Sequence, residues 1–293
     1  MYVVHQDHPV RKISRTSDTA WTIADAEFKR GPFMDTNSTT TTLTADARTG
    51  SSITITASAV TGINNDTGFQ STDVGRYLKL HHGYAEITAV GSTTSVTATA
   101  LENDDFIAEL EPSYTSNTIS FKEGDPDSTG LEHNDRILDS DKQFLKQGFK
   151  DGMEITISGT TSNNTDVLIV KVTEDTLVIS PSDDLADEAA DTGHTLAGKL
   201  VADDKFALGA FSTTTGFPSC VAFYEERLTF AATTAQPQTL FFSVGGSFED
   251  FASGDKDDSA LTYTIGSNEI NVIRYLSSSR SLLVGTQASE FAV

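Results

Sequence analysis

The chain reads as an all-β protein: an interrupted β-propeller carrying two inserted small β-barrel or sandwich-like modules. Three observations lead there. Between Gly216 and Phe251 apolar residues alternate around short polar breaks. Val221 and Phe223, then Leu228 and Phe230, flank Glu225-Glu226-Arg227, and Leu240-Phe241-Phe242 follows a Pro-containing link. Apolar residues two apart share one strand face, so this stretch is a β-meander, and it needs neighbours to cover that face. The pattern then recurs. The run from Val221 to Arg227 and on through Leu228-Thr229-Phe230-Ala231-Ala232-Thr233 is matched by one from Val272 to Arg280 and on through Ser281-Leu282-Leu283-Val284-Gly285-Thr286, with the two arginines 53 positions apart. A period of about fifty residues with several short strands per unit is that of a propeller blade, and two ordinary hairpins of another sheet protein are the bland alternative. Third, runs rich in Thr, Val and Ile fill the region between the first strands and the meander.

In order, residues 1–35 predict the first propeller strands. Tyr2-Val3-Val4 is followed by a turn over Gln6-Asp7-His8-Pro9, a return over Val10 to Ile13, and Trp21-Thr22-Ile23 before the break at Gly31-Pro32. Residues 36–115 predict a small β-barrel module: Ile53-Thr54-Ile55-Thr56 alternates, and strands over Val74 to Leu80, Ala85 to Val90 and Val96 to Ala100 follow. Residues 116–202 predict a second β-module, clearest from Phe149 to Gly159, with strands over Val167 to Val172 and Leu177 to Ile179. Both modules carry a Phe, then a turn Gly, then alternating apolar positions, which leaves open whether they are copies of one another. Asp141 to Lys146 predicts a helical turn, and the acidic patch Asp183 to Asp191 a solvated loop or short helix. Residues 203–293 return to propeller blades, so the modules are expected as insertions at a loop, where few backbone contacts cross. Strand-like segments at both ends, Tyr2 to Val4 and Ser289 to Val293, suggest a piece of a longer propeller.

Composition excludes several functions. The 293 residues hold 42 Asp and Glu against 20 Lys and Arg, a net charge of −22. Wrapping nucleic acid needs clustered cations, and an anionic membrane surface would repel this chain. A single cysteine, Cys220, excludes an internal disulfide framework and a multi-cysteine zinc site, and reads as a buried thiol. No apolar run reaches the length of about 18 residues that a membrane helix needs, so no membrane insertion is expected. Tyr2 to Lys12 does not resemble a secretory leader, so the Asn-x-Ser/Thr matches at Asn37, Asn65 and Asn163 read as polar loops.

Chemistry is sparse. His5 and His8 bracket a turn with Asp7, and His81 and His82 sit beside Gly83; a hairpin turn is the simpler reading than a metal site. Asp125 to Glu132 has the oxygen ligands and glycine of a calcium loop, yet Arg136 stands where its last carboxylate belongs, so a solvated turn is favoured. Asp255 to Asp258 is read as another acidic loop. No nucleophile elbow, phosphate loop or dinucleotide fingerprint occurs, and no carboxylate pair stands out. No catalytic, cofactor-binding or metal-binding residue is therefore assigned. Arg227 and Arg280 are expected to make structural hydrogen bonds across a blade, with Glu225 or Glu290 as partners.

A resemblance adds to this reading. Tyr2-Val3-Val4-His5-Gln6-Asp7-His8-Pro9-Val10-Arg11-Lys12-Ile13 resembles the YLVHPxHPPxKL segment of the tail tubular protein B family, the tail nozzles of short-tailed phages. Gly216-Phe217-Pro218-Ser219 with Val221, Phe223 and Arg227 to Ala231 is similar to its GYPSxVxFxxxRLxFA stretch. Pro237-Gln238 and Ser243 then follow its PQxxxxS portion, and Phe248 to Phe251 its DFxxF end. Asn268 to Leu276 with Leu283-Val284-Gly285-Thr286 resembles NxVNxIRWLxxxxxLLVGT. Where that family carries Trp, Phe206, Phe211 and Tyr275 stand here. One inserted module is similar to the small FCCH-type barrel of ubiquitin-activating enzymes, a likeness of fold alone. The resemblance implies a non-enzymatic virion protein built around a propeller, assembled in the host cytoplasm into the phage tail. Its partners would be copies of itself in a homo-oligomeric ring, the adaptor and portal, other tail proteins, and the host surface. DNA would pass without specific binding, and carboxylates facing the lumen would repel its phosphates. The alternative is a carbohydrate-binding adhesin or tail-fibre-like surface module with Tyr77, Tyr84 and Tyr114 as candidate platforms. A propeller depolymerase is a third reading, for which no acid pair is visible.

Overall fold

A computed structural model describes residues 1–80, 82–102, 108–125, 129, 133–191, 193–254, 257–266 and 271–293. Among them the fold is all-β, with a single 3-10 turn at Ser71–Asp73 and no α-helix. The first sheet joins β1 (Tyr2–His5), β2 (His8–Arg15) and β3 (Trp21–Asp25) in that order, antiparallel throughout. Its hairpin is tighter than the sequence suggests. Only Gln6 and Asp7 turn, and His5 pairs with His8, so His8 and Pro9 belong to β2. Pro9 fits there because its missing N–H costs nothing at the start of a strand.

The middle of the chain builds two larger sheets. One contains β4 (Leu43–Ala45), β5 (Ile53–Ala57), β6 (Tyr77–Lys79), β7 (Tyr84–Ser92) and β8 (Ser95–Leu101). The other contains β9 (Ser113–Ser116), β10 (Ile119–Lys122), β11 (Arg136–Asp139), β12 (Glu154–Ser158), β13 (Asp166–Val172), β14 (Thr176–Ile179) and β15 (His194–Gly198). A further short strand, β16 (Ala207–Leu208), returns to pair with β6. Alternation sets both cores. Ile53 and Ile55 of β5 point inward with Leu78, Ile87 and Phe206, while Ile155 and Ile157 of β12 meet Ile137, Ile169 and Leu196.

The two sheets are the same arrangement twice. Their orders are β16-β6-β7-β8-β5-β4 and β9-β15-β12-β13-β14-β11-β10, so β6, β7 and β8 correspond to β12, β13 and β14. Even the seventh position has a counterpart, because Phe33 bridges Gly209 and the Met34 amide bonds Leu208 O beside β16, as β9 does beside β15. The details agree as well. Gly75 and Gly152 both have φ of +84°, and their amides reach Ile87 O at 2.8 Å and Ile169 O at 2.9 Å. Only glycine adopts that backbone without strain, which explains the glycine shared by both modules. Each sheet shifts register just after that isoleucine, between Ile87 and Ala89 and between Ile169 and Lys171. Leu43 bridges Asp203 as Phe121 bridges Glu188.

This pairing corrects the expectation of two successive modules over 36–115 and 116–202. The first unit takes its last strand from β16, beyond residue 202, so the second unit is nested in the connection between β8 and β16. Without β16 the β6 edge would expose unpaired N–H and C=O groups. In the second unit β9 and β10 lie at opposite ends of the sheet although only Asn117 and Thr118 join them. The sheet therefore curls into a half-barrel, and His194 Nδ1 bonds Ile119 O at 2.9 Å where its ends meet.

Several loops differ from their polar reading. Asn37 and Asn163 are buried. Asn37 Nδ2 donates to Thr41 O and Asp204 O at 3.0 Å, and Asn163 Nδ2 to Ala186 O at 3.0 Å, each tying the loop before the closing strand to its unit. The acidic stretch 183–191 uses its carboxylates as caps: Asp183 accepts the Leu168 amide at 2.7 Å, and Glu188 those of Thr161 and Ser162 at 2.7 and 3.1 Å. The helical turn expected over Asp141 to Lys146 is a pair of overlapping hydrogen-bonded turns, in which the Gln147 and Gly148 amides reach Gln143 O and Leu145 O at 2.8 and 3.2 Å.

These caps give the second unit an acid weakness. Hydrogen bonds from Thr156 and Lys199 lower the pKa of Asp166, and those from Thr176 and Thr173 lower that of Asp175. Burial opposes ionisation of Glu188, but the Thr161 and Ser162 amides outweigh it and lower its pKa too. A carboxyl whose pKa falls on folding adds stability above its unfolded pKa of about 4, and that stability is lost as pH falls through the folded value. Glu86 in the first unit is shifted upward by burial and works in the opposite sense. Amide exchange is thus expected to accelerate in β12–β14 before β5–β8 as pH drops below about 4. Simultaneous loss in both units would contradict this.

Candidate functional site

Beyond the nested units the chain forms β17 (Cys220–Tyr224), β18 (Arg227–Ala231), β19 (Thr239–Phe242) and β20 (Leu261–Thr264) in one antiparallel sheet. Then β21 (Ile273–Ser278), β22 (Leu282–Thr286) and β23 (Glu290–Ala292) form another. With β1–β3 these make a stack of three sheets, in which β17 touches both β1 and β21. Alternation in the middle sheet produces this. Val221, Phe230 and Phe241 stand on one face, while Cys220, Ala231, Leu240 and Phe242 stand on the other.

The first face meets β1–β3 through rings. Phe230 has Phe211, Phe28, Phe251 and Tyr2 around it, with centroids 5.5, 5.7, 5.9 and 6.3 Å away. The contacts to Phe211, Phe28 and Tyr2 are edge-to-face and add to the burial of large apolar area. Polar groups close the rim: Tyr2 donates its hydroxyl to Glu249 at 2.8 Å, Lys12 pairs with the same carboxylate at 2.7 Å, and Arg30 pairs with the buried Asp250. Burial and Glu249 together raise the Tyr2 pKa well above the usual phenol range. The second face packs on Ile273, Leu282 and Val284, and burial raises the Cys220 thiol pKa there.

Arg227 and Arg280 are not equivalent in space. Arg227 opens β18 and donates to Ser243 O and Ser259 O at 2.7 Å, binding across three strands through carbonyls and not through Glu225. Arg280 lies exposed in the turn before β22, and Glu290 accepts the Tyr275 hydroxyl instead. The reason is spacing. Arg227 follows a two-residue turn directly, whereas Ser281 separates Arg280 from its strand.

A buried ion pair ties the first unit to the 209–214 segment that leads into the stack. Asp73 and Arg76 are both sealed from solvent and meet at 2.9 Å. Arg76 Nε donates to Gly209 O at 2.7 Å, and one terminal nitrogen to Asn64 Oδ1 at 2.6 Å. Asp73 accepts Asn64 Nδ2 at 2.7 Å, the Gln70 amide at 2.8 Å and the Thr214 hydroxyl at 2.7 Å. Burial lowers the guanidinium pKa and Asp73 counters it. Asn64 reaches both partners from a positive φ of 50°. No motif in the sequence singles out this latch, since its members come from two distant segments, 64–76 and 209–214.

Two clefts flank the latch. One, of about 670 Å³, is walled by amides and hydroxyls including Asn65, Gln70, Thr213 and Gln236. The other, of about 830 Å³, combines Phe28, Tyr77 and Phe211 with Glu27, Glu86 and Glu102. The Tyr77 hydroxyl donates to Phe28 O at 2.5 Å, and burial followed by Glu86 and Glu27 raises its pKa to about 12. Both clefts offer hydrogen bonding, the second with acidic character. Among the described residues no group of three or more His, Cys, Asp or Glu is placed to hold a metal ion.

The other sequence candidates are scattered. The His5 and His8 rings approach to 5.1 Å, closer than expected because they flank a two-residue turn, but the exposed His5 Nδ1 accepts the Asp7 amide. His82 pairs with Glu111 at 2.8 Å where the two units join. His81, most of the Asp125 to Glu132 loop, and Asp255 with Lys256 lie outside the described residues. Tyr84 is buried against Phe33, and Tyr114 spends its hydroxyl on Asp139 at 3.2 Å. With Tyr77 half-buried, the three tyrosines form no open sugar platform. No protein-family model matches this chain, and no curated protein matches it.

Proposed function

We propose that this chain is a structural component of a phage tail nozzle, forming part of the wall of a DNA conduit. Its three stacked sheets are blades of a β-propeller in this reading. One observation carries it. The segments that resemble the nozzle family are those that build the stack: Tyr2 to Ile13 forms β1 and most of β2, Gly216 to Ala231 forms β17 and β18, and Leu283 to Thr286 lies in β22. The intervening nested half-barrels are outgrowths of a loop between the first two blades. The charge of −22 suits a wall that DNA must slide past, because carboxylates repel phosphates. The protein acts by shape and charge without catalysis, as a ring of copies beneath the portal and adaptor. Mass spectrometry of purified virions from the phage carrying this gene is expected to find the chain at several copies per particle. Virions that lack it would overturn the reading.

A further inference from the structure

The larger cleft beside the latch holds negative charge that no cation answers. Tyr77 of β6 and Glu86 of β7 stand directly opposite in register, so both side chains leave the same face of the first sheet, and both line the cleft. Phe28 and Phe211 belong to the same wall, half-buried and edge to face with centroids 5.8 Å apart. Glu27 and Glu102 line its more exposed part. Two further carboxylates of the wall already have cations, Asp25 with Arg11 at 2.8 Å and Glu249 with Lys12 at 2.7 Å. Lys29, also on the wall, is engaged as well. Among the described residues Glu27, Glu86 and Glu102 have no ion-pair partner. Burial of Glu86 disfavours its charged form and raises its pKa, and nothing offsets that cost.

We propose that this cleft binds a linear alkyl polyamine. One ammonium sits on Glu86, further ammoniums reach Glu27 and Glu102, and the methylenes lie along the rings of Tyr77, Phe28 and Phe211. Size argues for an organic ligand: about 830 Å³ is the volume of a small-molecule cleft and far exceeds a single ion. Placement argues for an extended one. No three of the described acids are placed to hold one metal ion, so a compact cation meets these carboxylates one at a time, whereas a chain with several charges meets them together. The walls argue for an ammonium on an alkyl chain. Aromatic faces attract such a cation and cover its methylenes, contacts that a hydrated metal ion cannot use. A neutral ligand would leave Glu86 unanswered, and an anion would be repelled by it. The net charge of −22 draws any polycation towards the protein, and the cleft adds a half-buried acid beside rings. This inference goes beyond the conduit role and does not depend on it.

Calorimetric titration of the full chain with spermidine at about 0.15 M salt, where diffuse attraction is screened, is expected to show one site that excess Mg²⁺ does not displace. Glu86→Gln removes a half-buried charge that has no partner, so the protein is expected to melt at the same temperature or higher. Its affinity for spermidine is expected to fall about 10-fold or more. Glu102→Gln, at an exposed position, is expected to weaken binding about 3-fold. Glu174→Gln removes an exposed carboxylate from the second unit, changes the net charge equally, and is expected to leave the affinity unchanged. An equal fall for Glu174→Gln and Glu86→Gln, or displacement by Mg²⁺, would reveal counterions gathered on an acidic surface and overturn the site. The absence of spermidine binding would overturn it as well.

Discussion

Replacing Arg76 with methionine is expected to cost about 3–5 kcal/mol of stability, because it strands the Asp73 carboxylate in a site closed to water. The remaining donors, Asn64, the Gln70 amide and the Thr214 hydroxyl, still reach that carboxylate, so the charge is softened without being neutralised. The loss extends beyond one ion pair, since Gly209 O and Asn64 Oδ1 also lose their donor. Arg76→Lys restores a positive charge but cannot reach both acceptors in the guanidinium's planar fork, so it should recover only part of the loss. Asp73→Asn together with Arg76→Met removes both charges and is expected to cost less than the sum of the single substitutions. Urea unfolding of the four proteins as a double-mutant cycle measures this coupling. Strict additivity would show that the pair does not act as a unit.

The latch also shows where sequence reading stops. The all-β class is legible because residues such as Ile53 to Thr56 and Arg227 to Ala231 alternate with the period of a strand, a local property. The register of β17 on β18 is legible for the same reason, with the positive-φ pair Glu225 and Glu226 making the turn between them. What closes the half-barrels is not local. β16 is only Ala207 and Leu208, too short to announce itself, and its partner Lys79 lies on the far side of the whole nested unit. The duplication is legible only as a Phe, a turn glycine and alternating apolar positions in each module, because Gly75 and Gly152 are held by geometry while the core residues around them are interchangeable apolar side chains. Asn37 and Asn163 read as loop residues since sequence cannot distinguish an amide facing water from one bracing two segments. Arg280 mimics Arg227 in spacing, yet one intervening residue moves it out of the strand.

Phe230→Ala is expected to have the other large effect, about 3–5 kcal/mol, as a fully buried ring removed from the centre of an aromatic cluster. The surrounding rings belong to different parts of the chain: Tyr2 to the first strand, Phe28 to the segment after β3, Phe211 to the segment before β17 and Phe251 to the connection between β19 and β20. They cannot all collapse inward, because β18 is fixed between β17 and β19, so a cavity persists and the contact between the first two sheets weakens. The damage should be directional. Amides of β1 and β2 are expected to exchange faster, while β21–β23, which pack on the opposite face through Ala231 and Leu240, should change less. Phe242→Ala provides the mirror experiment, loosening β21–β23 before β1–β3. If both substitutions accelerated exchange equally at both ends, the three sheets would unfold as one cooperative body and not as separable layers. The inner faces would then be coupled through the middle sheet, and a change at one end of the stack would be felt at the other.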